Sequence, residues 1–84
     1  MSKIDRQEIT LTIARELQNT IPALRISDHT KVTTIECPLG KIEVTDDGVA
    51  VTTKHGVSAG WTHEESGTLE HSAMRCNLLL RSVS

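Results

Sequence analysis

Between Lys31 and Lys54 the chain reads as three short strands joined by two tight turns, the second strand a clean alternation of apolar and polar residues. A period of two places successive side chains on opposite faces of a strand, so that alternation predicts a half-buried β-strand. Strand one is Lys31 to Glu36, rich in Thr and Val. Strand two is Lys41 to Thr45, with Ile42 and Val44 inward and Lys41, Glu43 and Thr45 outward. Strand three is Val49 to Thr53, with Val49 and Val51 on one face. Cys37-Pro38-Leu39-Gly40 has Pro second and Gly fourth, which suits a type I turn. Asp46-Asp47-Gly48 suits a hairpin loop with Gly48 in the left-handed conformation.

The flanks read as helices. Ser2 and Asp5 have capping-box spacing, so a helix is expected from about residue 3. Ile9, Ile13 and Leu17 recur every four residues, Ile21 extends the stripe, and Pro22 ends the helix near 19–20. Ile4, Leu11 and Ala14 fall on a second face. Leu24-Arg25-Ile26 alternates and allows a short edge strand over 24–27. Lys54 to Gly60, with two glycines and small residues, reads as a loop.

Thr62 with Glu65 forms a capping box that predicts a long helix over about 63–81. An alternative start at Ser66 would account for Gly67. Leu69, Ala73, Cys76, Leu79, Leu80 and Val83 share one face, while Met74 and Leu78 project from the other among His71, Arg75 and Arg81. The expected architecture over 1–84 is a single α+β domain of order αβββα, with both helices on one sheet face.

Among 84 residues Trp61 is the sole aromatic, with no Phe and no Tyr. A domain this short buries roughly 60–65% of its unfolded surface, so the core is thin and a homo-oligomer is favoured. The expected form is a homodimer joined through the outer surface of the C-terminal helix, with the first helix as a possible contributor. Nine Lys and Arg against eleven Asp and Glu give a net charge of −2. That balance argues against the basic surface that nucleic-acid binding needs. Cys37 and Cys76 stand 39 positions apart, which is not zinc spacing. With no signal peptide or membrane-length apolar run, a reducing cytoplasm and free thiols are expected.

Candidate sites are weak. Helix, three strands, helix is the order of double-stranded-RNA-binding domains, but those carry lysines where this chain has His63, Glu64 and Glu65. Carboxylates there repel phosphate, so nucleic acid is an unlikely partner. Lys54, His55, Ser58 and Gly60 border a glycine loop entering a helix, which outlines an alternative anion, small-ligand or nucleotide-sensing site. No phosphate-loop or dinucleotide spacing supports it. His63 and His71 lie two helical turns apart, too far for one metal shell. No nucleophile motif is present and no cofactor is implied, so an enzyme is not expected. Trp61 is either the plug of an aromatic-poor core or an exposed anchor.

The residues favour a surface for another protein, carried by Trp61, His71, Met74, Arg75, Leu78 and Arg81. The expected function is a small cytoplasmic binding or regulatory protein that occupies a partner's surface. Its size and lack of motifs match phage or mobile-element accessory proteins, such as inhibitors of host defence. A nucleic-acid-binding αβββα domain is the third alternative.

Overall fold

The computed structural model describes residues 6–21 and 23–82. Helix α1 (Arg6–Gln18) leads into five strands: β1 (Arg25–Asp28), β2 (Val32–Cys37), β3 (Gly40–Thr45), β4 (Gly48–Thr53) and β5 (Ser58–Thr62). A one-turn helix α2 (His63–Ser66) and a longer α3 (Leu69–Ser82) close the chain. The strands form one antiparallel sheet in sequence order. The α+β class holds, but the three-stranded meander is corrected to five strands.

Register sets the faces, because residues directly opposite on neighbouring strands share one. Ile35, Ile42 and Val51 align in one row, and Thr33, Val44, Val49 and Trp61 in the next. All seven are buried. Both long helices lie on this face: α1 over β2 and β3, α3 over β4, and each against the other. Ile9, Ile13, Leu17 and Ile21 from the first segment meet Ala73, Cys76 and Leu80 from α3 in one core. Among the described residues the opposite face carries no helix. There Arg25, Glu36 and Lys41 stand in one cross-strand row, alternating in sign.

Two terminal strands extend the meander. β1 occupies 25–28, beside the 24–27 predicted as an edge strand. β5 is the larger correction, because 54–60 reads as a loop and half of it is strand. Val57, Ala59 and Trp61 do alternate with Ser58, Gly60 and Thr62, but the two glycines hide that period.

The single helix over 63–81 is also corrected. The Thr62–Glu65 capping box forms, with the Thr62 side chain accepting from the Glu65 N–H and the Glu65 carboxylate accepting from the Thr62 N–H. It opens only one turn, because Gly67 at φ +83° breaks the helix. Thr68 then starts α3 afresh, its Oγ1 accepting from His71 N–H at 3.1 Å. Gly48 is corrected as well. It is not left-handed but lies in β4 opposite Thr62, where an added Cβ would collide with the Trp61 carbonyl oxygen. Glycine is needed there for closeness of approach rather than for a positive φ. The turn at 46–47 is organised by Thr45, whose hydroxyl accepts from the N–H groups of Asp47 and Gly48.

Ala14, expected on a second exposed face, is buried. α1 is wedged between the sheet and α3, so its buried arc widens to include Thr10 and Ala14. Of that second face only Leu11 stays exposed, and Ile4, like the predicted helix start at Ser2 and Asp5, lies outside the described residues. No described helix is long and apolar enough to cross a membrane. Both cysteines are free thiols. Burial pushes the Cys76 thiol up to about 12, so it remains protonated at neutral pH.

Candidate functional site

The exposed side of α3 gathers five of the predicted partner-binding residues. At about 100° per residue, Arg81, Met74, Leu78, His71 and Arg75 follow one another around an arc of roughly 120°. All five are exposed, Met74 at 53% and Leu78 at 62%. Their opposite arc holds Ser72, Ala73, Cys76 and Leu80 in the core. The tertiary structure therefore presents two apolar side chains inside a rim of basic and imidazole groups.

Trp61, the sixth, is a core plug. Its indole is buried on the helix-packed face of β5, and Nε1–H donates to Ser72 Oγ at 2.9 Å. Ser72 is itself buried, so the bond satisfies two polar groups that water does not reach. The Arg75 guanidinium lies 5.0 Å from the ring centroid, within cation–π range. Trp61 thus contributes to the outer arc indirectly, by holding Arg75 at its margin.

The alternative ligand residues are differently placed. Lys54 and His55 lie in the β4–β5 turn, while Ser58 and Gly60 belong to β5. An anion cradle needs N–H groups aimed at the ligand. Here Lys54 N–H donates to Leu39 O, Gly56 N–H to Thr53 O, and Val57 N–H to Thr53 Oγ1. Two of these N–H groups close the turn itself and the third ties it to the β2–β3 turn. At the start of α2 the Glu65 carboxylate occupies the place an anion would take.

Hydrogen bonding from the Thr62 backbone, then from its side chain, holds the Glu65 carboxyl below the ordinary 4.5. A lowered folded-state value means the cap stabilises above the unfolded-state pKa. That contribution disappears as pH falls through the folded-state value. Thr62→Ala is expected to cost about 1 kcal/mol at neutral pH. Glu65→Gln, which removes the titrating carboxyl that the Thr62 N–H holds, should flatten the acid limb of a stability-against-pH profile measured by urea unfolding. An unchanged acid limb would refute the cap's role.

The helix-free sheet face has a shallow depression of about 250 Å³ where Gly48 and Ala50 leave the backbone bare, rimmed by Glu43, Thr45, Asp47 and Thr62. Another of about 240 Å³ lies by Arg25, Glu36 and Pro38. Both fall below the usual 300–1,000 Å³ of small-molecule sites. Among the described residues no three His, Cys, Asp or Glu side chains converge for a metal. The His63 ring instead meets Thr45 O through Nε2 at 2.8 Å, fastening α2 to the sheet.

Arg6 is a residue that periodicity does not flag. Its guanidinium donates to His29 O and Thr30 O and lies 3.9 Å from Asp28 and 3.8 Å from Asp46. It locks the start of α1 to the β1–β2 and β3–β4 turns. No family model matches the chain, and neither a curated protein nor a solved structure does.

Proposed function

We propose that this chain is a small protein-binding module that acts in the cytoplasm by occupying a surface of a partner protein through the outer arc of α3. The observation that carries the reading is the pair Met74 and Leu78, four residues apart and more than half exposed, within a rim of His71, Arg75 and Arg81. Contiguity is what distinguishes an apolar contact surface from singly scattered apolar residues, and these two lie one helical turn apart. The basic rim selects a partner whose apolar contact is bordered by carboxylates. Such a surface suits an accessory regulator or inhibitor, since covering a partner requires no chemistry of the chain's own.

The test is affinity capture from the native host with wild type and with the Met74→Glu/Leu78→Glu variant. A partner retained by wild type and lost by at least tenfold with the variant is the expected result. Equal retention by a variant with unchanged circular dichroism would remove α3 as the binding surface. Both positions are exposed, so the variant should fold.

A further inference from the structure

We infer that β5 is a self-complementary edge, and that two copies of this chain join their β5 strands antiparallel about a two-fold axis at Ala59 to make one continuous sheet. Among the described residues β5 has a neighbour on one side only. At its ends Thr53 N–H donates to Val57 O and His63 N–H to Asp47 O. Antiparallel ladders alternate, so Val57, Ala59, Trp61 and His63 bond towards β4, while Gly56, Ser58, Gly60 and Thr62 point away from it. Two of those outward N–H groups are already engaged, Gly56 with Thr53 O and Thr62 with Glu65 Oε1. Ser58 and Gly60 remain, each presenting both N–H and C=O to the free edge.

A pair of outward residues two apart fixes the register. Pairing Ser58 of one copy with Gly60 of the other, and the reverse, makes four backbone hydrogen bonds around Ala59. Centring on Gly60 instead would require the Thr62 N–H, which is taken.

Three further features select a second copy rather than an unrelated strand. First, Val57 is 47% exposed on the helix side of the sheet, and in this register it faces Trp61 of the other copy. Second, Ala59, on the same side, is exposed because the helix layer stops short of it, leaving room at the axis. Third, Lys54 and His55 adjoin one end of the strand, and Glu64 and Glu65 adjoin the other. Antiparallel pairing sets each basic end against an acidic one.

The other edge of the sheet differs. β1 carries Arg25 and Asp28 and is bordered by Arg6, the charge protection typical of edges that must stay unpaired. From Val57 to Thr62 there is neither a charge nor a proline. A two-fold interface uses the same patch twice, as this one does. The exposed pair Met74 and Leu78 takes no part in this register, whereas Arg75, over Trp61, borders it.

Sedimentation of the full chain tests the seam. Wild type should run as a species of twice the chain mass, and Met74→Glu/Leu78→Glu should match it. Ala59→Lys, which sets two ammonium groups face to face at the axis, should run as a folded monomer. Ala59→Cys supplies an independent measurement. Opposed residues at a non-hydrogen-bonded pair have Cα atoms about 4.5 Å apart, within the reach of a disulfide, so mild oxidation should link the copies covalently. Wild type, with half-buried Cys37 and buried Cys76, should not be linked. A monomeric wild type, an Ala59→Lys variant that stays dimeric, or an Ala59→Cys variant that does not link would each overturn the seam.

Discussion

Replacing Trp61 with Ala is expected to cost about 3–5 kcal/mol, the usual range for removing a buried aromatic ring. A domain near the lower end of the 5–15 kcal/mol spanned by native proteins would be left with about 0–2 kcal/mol. The effect is large because nothing shares the load: no Phe or Tyr exists to fill the space, and the remaining core is aliphatic side chains with Cys76. Loss of the indole also leaves buried Ser72 without its donor and Arg75 without the ring beneath it. Trp61→Phe separates these contributions. It keeps most of the volume but removes the Nε1–H, and an unpaired buried hydroxyl costs about 1–3 kcal/mol. Urea unfolding followed by circular dichroism should show the midpoint of the Ala variant moved close to zero denaturant. The Phe variant should show a lower midpoint at unchanged slope. An Ala variant within 1 kcal/mol of wild type would mean that the indole is not the plug described.

Gly40→Ala is expected to cost about 3 kcal/mol or more, from overpacking and backbone strain together. Gly40 has φ +153° and pairs with Thr53 where β3 meets β4. An added Cβ would collide with the Thr52 carbonyl oxygen and lie 2.8 Å from Thr53 Cα and 2.9 Å from Leu80 Cδ2. Two of these obstacles are backbone, so relief requires the strands to part and α3 to lift. Gly56 is the control. Its φ is +87°, yet nothing stands within 4 Å of its missing Cβ. Gly56→Ala should therefore cost only the local strain, about 1–2 kcal/mol. Equal costs in the same urea series would show that conformation, not close approach, governs both sites.

The pair also marks the limit of what residues reveal on their own. Gly40 and Gly48 both invite a turn reading, and the turns are where expected, but what requires glycine at 48 is the neighbouring carbonyl of Trp61. The helical stripe Ile9, Ile13, Leu17 is legible because its partners lie at the 3.6-residue period of its own helix. Ala14 looks exposed by the same rule, since the period does not say that a second helix will cover that side. β5 is hidden because its alternation is written in Ala, Gly and Ser, residues too small to signal which face is buried. For the candidate site, the solvent arc of α3 follows from spacing alone. The burial of Trp61 depends on Ser72 and α3 arriving over β5.

The chain by itself determined the α+β class, the central hairpins, the apolar stripes and the exposed pair Met74 and Leu78. Each of these is fixed by interactions within a few residues, through strand and helix period, turn chemistry and capping. Tertiary structure alone decided the sheet's width, the role of Trp61 and the exposure of the Ser58 and Gly60 backbone groups at a free edge. Those outcomes depend on which segments meet across the fold, and backbone hydrogen bonding is the same for every residue type but proline, so it leaves little mark in the residues that provide it.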